Sequence, residues 1–245
     1  MHPFTIKTIA ACARSTRAKA LFGLIIISLS ACSALKPGPR PLVYDFGPGA
    51  VASSASASAS GSATLPSMGL SIVEAPVALD GLAVMYRLAY SDAQQLRPYA
   101  HARWSMAPAQ LLHQRLNEQL GQRRAVISTG LGMVLPAPLM TLHVELEEFS
   151  QLFDSANSSS ALLRIRATLG QAGARIGTQE LVAQRSFVVQ RPARTPDAVG
   201  GVQALADAAD AAIVEIDTWV AQVQATRPAA KSPSPASGPI SPVKP

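Results

Sequence analysis

Few side chains in this sequence could do chemistry, and they are scattered. Cys32 closes an apolar run and follows two small residues, Ser30 and Ala31. Its sulfur could form a thioether. His101, His113 and His143 fall in separate segments, with no metal-ligand spacing. Glu145, Glu147 and Glu148 are close enough for an acid/base or metal cluster, but period-two alternation puts Glu145 and Glu147 on one strand face with like charge. A solvated face is the plainer reading, with Arg164 and Arg166 across from them if the two strands pair. There is no G-x-S-x-G elbow, no Gly-rich phosphate loop and no H-E-x-x-H. The sequence therefore offers no catalytic, cofactor-binding or metal-ligating residue, and no enzyme is expected. Tyr99, Arg103 and Trp104 allow two readings. Trp104 belongs to a core, or the three form an interface, where Trp, Tyr and Arg are enriched.

Charge excludes another class. The chain has 245 residues, a formal charge of +6 and an isoelectric point near 9.7. Four of the positive charges (Lys7, Arg14, Arg17, Lys19) precede residue 32, where there is no acid, and Arg227, Lys231 and Lys244 follow Thr226. Between Cys32 and Thr226 stand 14 basic and 15 acidic residues, a net charge of −1. Such a body has no phosphate-neutralising face, so nucleic acid is not an expected partner.

The N-terminus is built in three parts: a basic stretch, an apolar run from Ala20 to Leu29, and small residues. That is the layout of a secretory signal over residues 1–31, too short to span a bilayer as a helix. Leu29-Ser30-Ala31-Cys32 closely resembles the bacterial lipobox. The resemblance implies lipidation of Cys32 and cleavage before it. Cys12 would leave with the leader, so Cys32 would be the only cysteine of the mature chain and no internal disulfide could form. Its acyl chains, at about 0.8 kcal/mol per buried CH₂, would hold the protein on a membrane. Ser33 follows where an inner-membrane retention Asp would stand, which points to the outer membrane.

Residues 32–67 read as a tether. It includes the low-complexity run 52–63, and extended it could reach on the order of 115 Å. One island, residues 42–48, carries Tyr44 and Phe46 two apart and either docks on the body or stays unstructured. The body, 68–225, alternates strands and helices. Strands are expected at 70–79, 82–90, 101–104, 125–129, 139–149, 161–169 and 178–190. One helix is expected at 105–122, with Ser105 as N-cap and Leu112, Leu116 and Leu120 on one face. A second, 198–225, carries a stripe from Val202 to Val223 with Trp219 beside it and Asp207, Asp210 and Asp217 on other faces. Residues 226–245 form a Pro/Ser-rich tail expected to be disordered. The fold class is α+β: a largely antiparallel sheet with two helices packed on one face, preceded by the signal and a flexible tether.

The order of these pieces resembles the ABC-type transport auxiliary lipoprotein family, the group containing paraquat-inducible protein C-like membrane-integrity lipoproteins. The carriers are the Tyr44–Pro48 island after the lipidation signal, Tyr86–Arg87, Leu96 and Tyr99, Ala102-Arg103-Trp104 with Pro108, and the Leu111–Leu120 helix. The resemblance implies an outer-membrane lipoprotein with its domain in the periplasm. Its partners would be an inner-membrane MCE-domain protein with its ABC permease and ATPase, in a system moving lipids or other hydrophobic molecules between the membranes. A homo-oligomer would suit docking on a ring-shaped partner. The alternatives are a periplasmic lipoprotein that itself binds a hydrophobic ligand, and a structural envelope lipoprotein without a transport role.

Overall fold

The computed structural model describes residues 40–49, 65–129, 139–172 and 178–226. Cys32, residues 1–31 expected to be a signal, the run 52–63 and the tail from 227 lie outside them. In chain order the elements are β1 (Leu42–Tyr44), β2 (Met68–Ser71), a 3₁₀ turn (Val77–Leu79), β3 (Ala83–Leu88), the single-turn helix α1 (Ala89–Asp92), β4 (Ala93–Trp104), α2 (Pro108–Gly121), β5 (Val126–Thr129), β6 (Met140–Ser155), β7 (Ser158–Ala172), β8 (Gln179–Pro192) and α3 (Ala198–Thr226).

β6 is the spine of an eight-stranded mixed sheet. One of its edges carries β7, antiparallel from Met140↔Gln171 to Ser155↔Ser158, and β7 in turn carries β8. Two short parallel strands share the other edge: β2 beside Met140–Leu142 and β3 beside Gln151–Phe153, with Glu74 bridging to Glu145 between them. β5 extends the sheet beyond β2. β4 and then β1 extend it beyond β3. The fold is α+β, its two long ladders antiparallel.

Alternation explains the long strands. In β7, Leu163, Ile165, Ala167 and Leu169 point into the core while Arg164 and Arg166 are exposed. β6 starts the same way with Met140, Leu142, Val144 and Leu146 inward, then bulges between Leu146 and Glu148. The extra residue shifts the phase, so Phe149, Gln151 and Phe153 face inward, and the strand runs to Ser155.

α3 covers β6–β8 with Val202, Leu205, Ala209, Ile213, Ile216 and Val220, and Ala204, Ala208 and Ala212 let it sit close. Trp219 meets Phe187 edge-on at 5.8 Å. α2 packs on α3 and buries Leu112, Leu116 and Leu120 completely, each worth about 1.5–3 kcal/mol. Two expectations are corrected. α2 begins at Pro108 with Ala107 at its N-cap position, and Ser105 instead donates its backbone N–H to Tyr44 O at 2.7 Å. Asp217, read as lying off the buried stripe of α3, is buried. Among the described residues no helix is long and apolar enough to cross a membrane.

Candidate functional site

The island at residues 42–48 docks on the body. β1 pairs in parallel with the end of β4, Val43 opposite Arg103 and Tyr44 opposite Trp104. Two residues on, Phe46 is 8% exposed. It meets Trp104 edge-on at 5.6 Å and Phe149 at 5.8 Å. Asp45 accepts the Gly47 N–H in a tight turn that needs the positive φ of Gly47. Arg115 of α2 then donates to two carbonyls, Phe46 O at 2.7 Å and Gly47 O at 2.8 Å, while its Nε faces Asp210 of α3 at 3.3 Å. Burial raises the Asp210 carboxyl above its usual range, and Arg115 opposes that rise. Grooves of about 220 and 450 Å³ flank this clamp, the larger between Val43–Gly47 and Val199, Val202 and Ala206 of α3.

A second polar assembly lies under the start of α3. Tyr99 donates to Gln151 Oε1 at 2.8 Å, and Gln151 Nε2 donates to Ser159 Oγ at 2.8 Å. Tyr86 stacks on Tyr99 at 4.6 Å. Burial pushes the Tyr99 hydroxyl well above its ordinary pKa, helped by Tyr86 and Asp197. Gln151 is fully buried, and Gly201 is the reason it fits: a Cβ there would overlap the Gln151 amide. Asp197 caps the helix by accepting the Gly200 N–H at 2.8 Å, and that bond holds its carboxyl below the usual range.

Two ion pairs tie further elements down. Arg87 grips Glu148 at the β6 bulge (Nη2–Oε2 2.9 Å) and donates to Ala93 O and Gln94 O, where β4 begins. Arg124, fully buried, pairs with buried Asp217 and donates to Gln224 at 2.9 Å. Burial lowers the Arg124 pKa, and Asp217 opposes the shift.

The residues singled out in the sequence separate here. Trp104 is 1% exposed, so its ring belongs to the core and cannot present an interface. The reason is its place in the Phe46–Trp104–Phe149 cluster. Arg103 points the other way and is exposed, and Tyr99 is half-buried with its hydroxyl used internally. The three histidines stay apart on β4, α2 and β6, and His113 contacts Ser71 O through Nδ1. Among the described residues no group of three or more His, Cys, Asp or Glu could hold a metal. Glu145 and Glu147 both pair with Arg166, Glu145 as its register partner and Glu147 from the bulge. Sequence reasoning passed over Arg115 and Gln151 and set Asp217 off the buried stripe, yet each carried a signal. Arg115 falls one turn after Leu111, Gln151 lies in phase between Phe149 and Phe153, and Asp217 is one turn after Ile213.

This is a domain of clamps: a helix-backed sheet that fastens its own N-terminal segment. The sequence profile of the ABC-type transport auxiliary lipoprotein component family matches residues 49–217, and the chain belongs to that family. A crystal structure of a Xanthomonas campestris protein of the DUF330 family is similar at 17% identity and TM-score 0.56, covering 65% of this chain and 87% of that one. A second, of an uncharacterized protein, is similar at 16% identity and TM-score 0.52, covering 74% and 99%. At such identities the likeness is one of fold. Comparison with curated protein sequences returns no match.

Proposed function

We propose that this chain is lipidated at Cys32, is anchored to the outer membrane, and serves as the periplasmic auxiliary component of an MCE-type ABC system that moves lipids or other hydrophobic molecules between the membranes. The observation that carries this reading is the Leu29-Ser30-Ala31-Cys32 sequence standing ahead of a domain of the transport auxiliary family. Residues 1–31 are then the cleaved leader and 32–67 the connection to the membrane. Residues 68–225 form the working domain and 226–245 its tail. The partner is an MCE-domain protein with its permease and ATPase, and exposed Arg103 is a candidate contact.

The packing supports a protein that assembles over one that stores lipid. The space between sheet and α3 is filled by Leu163, Ile165, Ala167, Leu205, Ala209 and Ile213, all essentially inaccessible to solvent. The test is in-cell crosslinking of the full-length protein with mass spectrometry of what is trapped, beside a Cys32→Ala control. Recovery of an MCE-domain protein, weakened in the control, is the expected result. Recovery of only outer-membrane or cell-wall components, with MCE proteins well covered in the lysate, refutes it.

A further inference from the structure

The geometry points to a peptide-receiving cradle that the chain fills with its own residues 42–49, and to release of that segment as the step that lengthens the leash between Cys32 and the domain. The cradle needs no lipid. The leash rests on the lipidation proposed above.

The segment is held as a bound peptide is held. It adds to an existing sheet through a three-residue strand, inserts one aromatic anchor, and has its backbone carbonyls gripped by a guanidinium. Every group that receives it belongs to another element: Trp104 to β4, Phe149 to β6, Arg115 to α2. Gly49 fits the same grip, since its φ is +70° and a Cβ there would overlap the Arg115 guanidinium. The hold is also narrow. Leu42 and Val43 are 59% and 61% exposed, so attachment depends on Phe46, on Arg115 and on a short ladder. An element held at so few points opens locally, with β6, β7 and α3 left intact.

Opening changes reach. With the segment seated, Leu42 lies ten positions after Cys32, at most roughly 35 Å of extended chain. With it released, the next fixed point is Leu65, whose N–H bonds Arg123 O. The body then begins thirty-three positions after the anchor, at most roughly 110 Å. One local event triples the distance over which the anchored domain can meet a partner.

The test uses the full-length lipidated protein on a supported phosphatidylethanolamine/phosphatidylglycerol bilayer. Hydrogen exchange reads the cradle, neutron reflectometry reads the height of the domain, and mass spectrometry reads the Cys32 peptide. Phe46→Ala should speed exchange of amides 42–47 by about 100-fold or more with β6 and β7 amides unchanged, and should move protein density outward. A Val43→Cys/Arg103→Cys pair, register partners on β1 and β4, should form an intramolecular disulfide and hold the domain close. Arg115→Gln should act in the direction of Phe46→Ala. Exchange that rises together in segment and core overturns the cradle. Intermolecular disulfides overturn a cradle filled in cis and show a second copy as its occupant. An unacylated Cys32 peptide, or equal heights for locked and Phe46→Ala proteins, overturns the leash, while the exchange result still decides the cradle.

Discussion

Replacing Gly201 by Ala sets two known effects against each other. Alanine in a helix is favoured over glycine by about 1 kcal/mol, so helix propensity alone predicts a more stable protein. The structure predicts the reverse. A Cβ at position 201 would overlap Gln151 Oε1 and lie 2.5 Å from its Cδ. Gln151 is fully buried and cannot swing into solvent. Displacing it breaks two bonds, from the Tyr99 hydroxyl and to Ser159 Oγ, each 2.8 Å. Leaving buried groups unpaired costs about 1–3 kcal/mol each, so after the helical gain the net loss is about 3 kcal/mol. For a folded unit of this size that lowers Tm by roughly 6–12 °C. Urea unfolding followed by Trp fluorescence measures it. The decisive control is the double-mutant cycle with Gln151→Ala. With the obstacle removed, Gly201→Ala should become neutral or gain up to about 1 kcal/mol. Equal stabilisation by Gly201→Ala in both backgrounds would refute the reasoning.

Three further outcomes follow from the burial and the ion pairs. Trp104→Ala should cost about 3–5 kcal/mol while its neighbour Arg103→Ala stays within about 0.5 kcal/mol; equal losses in urea unfolding would contradict the opposite facing of the two side chains. Asp217→Ala should cost about 3–5 kcal/mol by stranding Arg124 in the core, whereas Arg124→Met with Asp217→Leu should recover most of that loss, and denaturant midpoints decide between them. Asp197→Ala should cost about 1 kcal/mol at neutral pH through the lost cap. The folded Asp197 carboxyl is held low by the Gly200 N–H, so its contribution is present above the unfolded carboxylate pKa and is lost as pH falls through the folded value. The gap between wild type and Asp197→Ala should therefore narrow from pH 5 downward, and thermal melts across that range test the sign.

Legibility in the sequence followed the solvent. β7 is wet on one face and dry on the other, so its alternation is plain from 161 to 169, and only the serines at its start and the last residues of the strand escape it. β6 reads equally well to Leu146, then bulges, and a period of two carried past that point puts Phe149 on the wrong face. β4 was visible only at residues 101–104. Its first part, with Gln94, Gln95 and Pro98, has β3 on one side only, because β1 covers just Ala102–Trp104. An open edge tolerates proline and polar side chains, so that stretch lacks the apolar pattern of a strand. The clamp was half legible. Tyr44 and Phe46 stand out against Pro and Gly neighbours, but the place of Arg115 one turn after Leu111 marks its face and not its task, which only its partners, two backbone carbonyls and Asp210, reveal.

Those buried polar groups share a purpose that the apolar pattern cannot serve. Between the large side chains of α3 that meet the sheet lie small ones, Ala204, Ala208, Ala209 and Ala212, and alanines give a helix little to fix its position along a strand. Two features near opposite ends remove that freedom. Gly201 sits over Gln151, where a residue with a Cβ would clash, and Asp217 meets Arg124 beyond the end of α2. Sixteen residues separate them, about 24 Å of helix, so a shift of one turn would strand a buried glutamine and a buried arginine together. The Arg124→Met/Asp217→Leu variant therefore tests more than energy. If its stability returns but the ordered contact of Trp219 with Phe187 does not, as read by near-ultraviolet circular dichroism, the ion pair fixes the register of α3 rather than the strength of its attachment.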